Sequence, residues 1–120
     1  MSGTFYSGTW RGGFNQSDKQ EVKTVFSIKQ NAFSLNGVLF AETIYSSNNK
    51  ENYSNQYKFF GYIKNNLVVI NYEAMSNKCT GRGTLMLKSS EGGTILSGNI
   101  IHSEDVNNMW SINCFELKRD

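Results

Sequence analysis

The sequence predicts an all-β domain folded as an eight-stranded antiparallel up-and-down β-barrel. Apolar side chains recur at every second position in several runs, with Val22, Phe26 and Ile28 on one face, and this is the period of a strand with one buried side. Gly, Asn and Ser residues separate the runs, and proline is absent. The number of predicted strands is even, so the first can pair antiparallel with the last and leave no free sheet edge.

The length of 120 residues fits one domain, which we expect to span residues 4–120 after Met1-Ser2-Gly3 as a remnant of cloning. The predicted strands cover residues 4–12, 22–29, 33–45, 56–64, 67–73, 81–88, 94–102 and 109–118. Meandering strands of this length can also split into two packed sheets, so a β-sandwich is the alternative. In the fifth strand, Leu67, Val69, Asn71 and Glu73 form one face and Val68, Ile70 and Tyr72 the other, and the pattern leaves open which face points inward.

Turn residues place the connections. Gly92-Gly93 and Asn65-Asn66 predict tight hairpins, because Gly and Asn tolerate positive φ. We also predict a polar linker at 13–21, a turn at Gln30-Asn31, and loops at 46–55, 76–78 and 103–108. Gly37 predicts a bulge or bend in the third strand.

Composition excludes several classes of function. The net charge is +2 and the basic residues are scattered, so the sequence predicts no binding to DNA or long RNA. Cys79 and Cys114 match no zinc pattern and are expected to be buried or half-buried thiols in a reducing cytosol, and no metal or cofactor is predicted. No apolar run approaches the roughly 20 residues of a membrane span, so the chain as given is expected to be soluble.

The sequence does not predict an enzyme. The single histidine, His102, is interpreted as a surface residue at a turn, because its neighbours in sequence rarely converge on one imidazole. Glu42, Glu73 and Glu116 lie singly on different strands, and a paired acid and base would need the barrel to bring two of them together.

Binding in the lumen or at its rim is therefore the favoured function. The candidate ligand residues are aromatic side chains that can stack on planar bases and polar or cationic ones that can bind phosphates or base edges: Tyr6, Tyr57, Tyr72 and Trp110, and Arg11, Asn71, Arg82 and Thr84. Core packing is the alternative for each aromatic residue, and a solvated loop cation is the alternative for Arg82. Gly81 and Gly83 beside Arg82 permit close backbone approach to an anion.

Two families share short motifs with this chain. Gly8-Thr9-Trp10 resembles the Gly-x-Trp motif that opens lipocalin-type barrels, and Arg119 lies near the arginine that follows their last strand. This resemblance implies a carrier of a small apolar ligand. A purely structural barrel with a packed interior is a further alternative.

A second resemblance covers nearly the whole chain. It includes Gly8-Thr9-Trp10-Arg11-Gly12, Tyr57-Lys58-Phe59-Phe60-Gly61-Tyr62, Gly81-Arg82-Gly83-Thr84-Leu85-Met86-Leu87, Leu96-Ser97-Gly98 and residues 110–117. These segments are similar to the soluble β-barrel domain of bacterial CBASS antiphage effectors, which join two transmembrane helices to a barrel that senses cyclic nucleotides.

This resemblance implies a function in antiviral defence. The barrel would bind a cyclic di- or trinucleotide messenger, and binding would drive homo-oligomerisation and membrane disruption. The membrane helices would precede this sequence and place the protein at the cytoplasmic face of the bacterial inner membrane. No motif here fixes the messenger, and the candidate ligand residues come from the chemistry above and not from the family.

Overall fold

The computed structural model describes residues 5–46, 50–76 and 80–120. Three short segments lie outside these residues: 1–4, 47–49 and 77–79. They contain Met1-Ser2-Gly3, the predicted start of the first strand at Thr4, Asn77-Lys78 of a predicted loop, and Cys79. The strands of the structure are β1 (Gly8–Ser17), β2 (Gln20–Asn31), β3 (Ser34–Tyr45), β4 (Tyr53–Lys64), β5 (Leu67–Ala74), β6 (Arg82–Ser89), β7 (Ile95–Asp105) and β8 (Asn108–Arg119). A short 3₁₀ turn, Glu91–Gly93, joins β6 to β7.

The eight strands form a closed antiparallel barrel in sequence order, which confirms the predicted fold class. Each strand pairs with the next along the chain, and β1 pairs with β8 through Trp10↔Arg119, Arg11↔Lys118 and Gly12↔Leu117. This last pairing closes the sheet on itself, so the alternative of two separate packed sheets does not apply.

The two predicted tight hairpins are confirmed by their backbone angles. Asn65 and Asn66 have φ of 53° and 67°, as a two-residue primed turn requires, and Gly92 and Gly93 have φ of 81° and 69°. The predicted turn at Gln30-Asn31 is wrong by two residues: β2 continues through Asn31, and Ala32, with φ of 57°, starts the turn.

Three predicted connections are shorter than expected. The linker at 13–21 is mostly strand, because β1 runs to Ser17 and β2 begins at Gln20. Likewise β4 begins at Tyr53, inside the predicted loop at 46–55, and the predicted loop at 103–108 shrinks to a turn between Asp105 and Asn108. Polar residues can extend these strands because the hydrogen bonds between strands are formed by backbone groups alone. Their side chains remain in contact with water at the rim of the barrel.

Of the bulge or bend predicted at Gly37, the bulge is wrong. Gly37 pairs in unbroken register with Ile28 and Phe59, whereas the register shifts lie between Asn15 and Ser17, between Gly98 and Ile100, and between Ser103 and Asp105. A Cβ at Gly37 would lie 1.8 Å from the carbonyl oxygen of Ser27, so this glycine permits close approach of strands without an inserted residue.

The core fills one end of the barrel. Trp10, Phe26, Phe59 and Phe115 are fully buried there, and Tyr6 packs at the same end. In β5, Val68, Ile70 and Tyr72 are buried while Leu67 and Glu73 are exposed, which settles the orientation that the sequence left open. The interior is therefore packed at this closed end and changes character toward the other.

Cys114 is exposed, with φ of 63°, which contradicts the expectation of a buried or half-buried thiol. It lies within the register shift between Gly98 and Ile100 of the partner strand, where Asn113 and Cys114 together lie opposite Asn99, and this extra residue turns the cysteine side chain away from the core. Across the described residues, no helical segment has the length and apolar character of a membrane span.

Candidate functional site

A cavity of about 430 Å³ opens at the end of the barrel opposite the packed core. We call this end the mouth; it is formed by the last residues of β1, β3, β5 and β7 and the first residues of β2, β4, β6 and β8. The volume lies within the range of small-molecule sites, about 300–1,000 Å³. Side chains therefore do not fill the described part of the barrel up to the mouth.

One wall of the cavity is a stack of flat side chains. The His102 ring lies 4.7 Å from the Trp110 ring at an interplanar angle of 20°, and 5.7 Å from the Tyr72 ring at 25°. Tyr57 packs edge-on against Tyr72 with 5.2 Å between ring centroids. These rings come from β4, β5, β7 and β8, so pairing of neighbouring strands in the sheet assembles a surface that no single strand carries.

Hydrogen bonds fix the orientation of the histidine. The Tyr72 hydroxyl lies 2.6 Å from His102 Nδ1, and His102 Nε2 lies 3.1 Å from Glu104 Oε1. A carboxylate only accepts, so in the neutral ring Nε2 carries the proton and Nδ1 accepts from the Tyr72 hydroxyl. The chain Tyr72–His102–Glu104 therefore holds the imidazole plane against the Trp110 ring.

The Tyr72 hydroxyl is held in its neutral form. Burial raises the pKa of this phenol far above its ordinary value, and the neighbouring Tyr57 and Glu104 add smaller effects in the same direction. Its proton is therefore retained and available for donation to His102 at any physiological pH.

The remaining cavity wall changes from apolar at the floor to polar at the mouth. The lining residues farther from the mouth are Thr24, Phe26, Leu39, Leu85 and Ile100, while Val22 pairs with Thr43 near the mouth. The other polar residues near the mouth are Gln16, Gln20, Asn55, Asn107 and Asn108. Among the described residues that line the cavity, Glu104 is the one formally charged side chain, and none is Lys or Arg. The site can thus stack a planar group and hydrogen-bond its edges, but it offers no fixed cation inside.

Three of the eight predicted ligand residues meet in this cavity: Tyr57, Tyr72 and Trp110. Tyr6 lies at the closed end instead, where its ring packs against Trp10 and its carbonyl oxygen accepts a 3.0 Å hydrogen bond from the Trp10 indole. Tyr6 therefore belongs to the core, as the alternative interpretation of the aromatic residues held.

The other four predicted residues lie on the outer face of the barrel. Arg11 pairs with Asp120 at 2.9 Å, and Thr84 donates a 2.9 Å hydrogen bond to Asn71. Arg82 is exposed and sits opposite Glu73 in the β5–β6 ladder, above a shallow depression of about 240 Å³. These side chains do not line the cavity with the aromatic stack.

Gly81 and Gly83 make room for the aromatic stack. A Cβ at Gly81 would lie 2.8 Å from His102 Cε1, and a Cβ at Gly83 would lie 2.4 Å from the Tyr72 hydroxyl oxygen. The sequence predicts that these glycines permit close backbone approach to an anion beside Arg82. In the structure they face inward and admit the rings of His102 and Tyr72.

The interpretation of His102 as a surface residue is wrong. It lies within β7 and is 95% buried, since its relative exposure is 5%. The alternation Leu96, Gly98, Ile100, His102 already places the imidazole on the inward face, and this signal was outweighed by the polar residues that follow it. Thr24 and Glu104 are further cavity residues that sequence reasoning did not select.

The predicted carboxylates do not converge in the cavity. Glu42, Glu73 and Glu116 are all exposed on the outer face, and Glu73 pairs with Lys58 at 3.4 Å. Within the described ranges there is also no group of three His, Cys, Asp or Glu side chains that could hold a metal ion. The absence of enzymatic activity remains a prediction.

Comparisons with protein-family models, with curated proteins and with solved structures find no match for this chain.

Proposed function

We propose that this protein is a receptor that takes a planar ring of a small molecule into the mouth of the barrel, and that the ligand is a cyclic di- or trinucleotide. The observation that carries the proposal is the stack of Trp110, His102 and Tyr72 on the wall of a cavity of about 430 Å³. Aromatic side chains that face a cleft are the usual platforms for nucleobases.

Polar residues around the stack favour a base over a plain hydrocarbon ring. Asn55, Asn107 and Asn108 have amide groups that can donate to and accept from the edge of a base. The hydrogen bonds of His102 and its stacking on Trp110 order these rings before a ligand binds, which lowers the entropic cost of binding. A base can therefore be held by stacking and by its edge at the same time.

The phosphates of such a ligand belong outside the lumen. No Lys or Arg is among the described cavity-lining residues, and Glu104 would repel an anion. Lys19 lies in the exposed turn between β1 and β2, and Lys50 in the connection between β3 and β4, so both cations are at the mouth. We therefore place one base in the cavity and the phosphates at the rim.

The wider biological setting is part of the same proposal. The CBASS resemblance supports a function in antiphage defence, with ligand binding driving self-association and with membrane helices outside the present sequence. On this account the barrel is the sensing part of an effector at the cytoplasmic face of the inner membrane.

Thermal-shift measurements with a panel of cyclic di- and trinucleotides test the proposal. A ligand that binds only the folded state raises its stability, by about 2.7 kcal/mol at a concentration of 100 Kd. Trp110→Leu should abolish the shift because it removes the outer ring of the stack, whereas Arg82→Gln should retain it. If no cyclic nucleotide stabilises the protein at millimolar concentration, the nucleotide proposal fails.

A carrier of a small apolar ligand is the second candidate. It is favoured by the apolar lining residues Val22, Phe26, Leu39, Leu85 and Ile100 and by the lack of cations among the described lining residues. The residues of the lipocalin resemblance also contact each other, since the Arg119 guanidinium lies 4.4 Å from the Trp10 ring centroid. Displacement of a fluorescent fatty acid separates the candidates: an apolar carrier binds the probe, and a nucleotide receptor ignores it.

A further inference from the structure

Glu104 brings a carboxylate to the wall of the cavity near the mouth. Its Oε1 lies 3.1 Å from His102 Nε2, and a Cβ at Gly81 would lie 3.2 Å from the same oxygen. Glu104 follows His102 by two residues in β7, so both side chains belong to the inward face of the strand. The carboxylate is therefore held at the edge of the imidazole ring and points into the mouth.

This carboxylate has acceptor capacity that the protein does not use. Within the described residues, His102 is the one donor to it, whereas a carboxylate can accept about four hydrogen bonds at its two oxygens. The Glu104 side chain is 43% exposed, so a ligand that enters the mouth can reach it. No Lys or Arg is among the described lining residues, so no fixed cation competes with a ligand for these oxygens.

We propose that Glu104 selects the base that the cavity holds, an inference that rests on the proposed function. It defines the ligand class further: a cyclic nucleotide with a base whose edge carries two adjacent N–H donors, which among the common bases is guanine. The N1–H and the 2-amino group of guanine lie side by side, so both can donate to one carboxylate in a charge-assisted pair.

The other common bases match this carboxylate less well. Adenine and cytosine place a ring nitrogen with a lone pair beside their amino group, and uracil places its one N–H between two carbonyl oxygens. Each of these acceptors would be repelled by the negative charge of Glu104. The same charge disfavours a phosphate inside the mouth, so the guanine enters and the phosphates stay at the rim.

Two ligands that differ only in the 2-amino groups test this selection. Cyclic di-IMP has hypoxanthine in place of each guanine of cyclic di-GMP, so it keeps the N1–H donor and loses the second one. In NMR titrations of the ¹⁵N-labelled protein that follow the Trp110 indole, we expect cyclic di-GMP to bind about tenfold more tightly, because it makes one more hydrogen bond to a charged acceptor. Cyclic di-AMP should bind more weakly than either.

A variant of Glu104 connects the preference to the carboxylate. Glu104→Gln keeps the size of the side chain, and its amide oxygen can still accept from His102 Nε2. Its outer atom then becomes an NH₂ group that donates, so the preference for cyclic di-GMP over cyclic di-IMP should fall to about one. Glu116→Gln removes the same charge on the outer face of β8 and is the matched control, which should keep the tenfold preference.

The outcomes separate this inference from the proposed function. If cyclic di-IMP or cyclic di-AMP binds as tightly as cyclic di-GMP, the selection by Glu104 is wrong although the cavity binds cyclic nucleotides. It is equally wrong if Glu104→Gln keeps the tenfold preference, or if cyclic di-GMP leaves the Trp110 indole in place while another member of the panel shifts it. If no cyclic nucleotide shifts that resonance, the proposed function fails together with this inference.

Discussion

At the scale of single residues, Arg119 joins the two ends of the chain. Its guanidinium donates to the carbonyl oxygen of Ser7 at 2.9 Å and to that of Phe5, and it lies over the Trp10 ring. One side chain thereby bonds the segment before β1, covers a buried aromatic residue and reinforces the β1–β8 closure.

We expect Arg119→Ala to lower the free energy of unfolding by about 2–4 kcal/mol, because it removes charge-assisted hydrogen bonds and a cation–π contact together. Arg11→Ala is the control, since the Arg11–Asp120 pair is exposed and should contribute less than about 1 kcal/mol. Urea unfolding followed by circular dichroism measures both. Equal losses in the two variants would contradict this account of Arg119.

Tyr72 links the cavity wall to the stability of the fold at alkaline pH. Because burial raises the pKa of this phenol in the folded state, the unfolded chain releases the proton first as pH rises. The folded state then binds more protons than the unfolded state, so stability is fully present below pH about 10 and falls above it.

The prediction is a loss of stability above pH 10 of up to about 1.4 kcal/mol per pH unit from this one group. Tyr72→Phe should show a shallower decline between pH 9 and pH 11 than the wild type in urea unfolding, because it has no proton to release at this position. It should also be less stable at pH 7, because His102 loses its partner. Parallel declines in the two proteins would refute the assignment to Tyr72.

Residue patterns predicted part of the site and missed its centre. Tyr57, Tyr72 and Trp110 were selected by chemistry and do line the cavity. His102 was missed because a polar residue before a polar turn suggests a surface position, whereas strand pairing places it beside Trp110 in β8 and, across Gly83 in β6, near Tyr72 in β5. The contact with Trp110 is made within the β7–β8 hairpin, but the contact with Tyr72 crosses a third strand and depends on a glycine that leaves room for the ring.

At the scale of elements, glycines inside the strands allow the sheet to curl. Gly37, Gly61 and Gly98 lie in β3, β4 and β7, and a Cβ at each would come within 1.8 to 1.9 Å of a carbonyl oxygen on the neighbouring strand. Strong coiling of a sheet brings backbones this close, and only a residue without a side chain fits.

We expect Gly37→Ala to destabilise the protein by at least about 2 kcal/mol, because the added methyl group must displace both the backbone at Ser27 and the Phe59 ring. Asn36→Ala changes the adjacent exposed residue and should stay within about 0.5 kcal/mol. Denaturant unfolding compares the two. A Gly37→Ala protein as stable as Asn36→Ala would show that the sheet is less tightly coiled at this point.

Strand positions were predictable where the buried side is apolar and less so near the rims. The inward face of β2 followed from alternation alone, and the Asn65-Asn66 hairpin followed from its turn residues. The polar ends of β1 and β4 resembled linkers because their side chains meet water on both faces, although their backbones remain paired.

At the scale of the whole molecule, the two ends of the barrel are packed differently. The closed end is filled by Tyr6, Trp10 and their neighbours, and Arg119 lies over the Trp10 ring. The mouth contains a cavity that Trp110 and His102 border. Closure of an even number of strands was predictable from sequence, but the position of the empty volume depends on how side chains of all eight strands fill the interior.

The central claim is that ligand enters at the mouth and stacks on Trp110. The chain has two tryptophans, and their indole N–H groups report the two ends separately, since Trp10 is buried at the closed end. The most direct measurement is an NMR titration of ¹⁵N-labelled protein with each cyclic nucleotide of the panel and with the fatty-acid probe. We predict that a binding ligand shifts the Trp110 indole resonance and leaves that of Trp10 in place. Shifts confined to Arg11, Asn71, Arg82 and Thr84 on the outer face, or no shift with any of these compounds, would contradict the account.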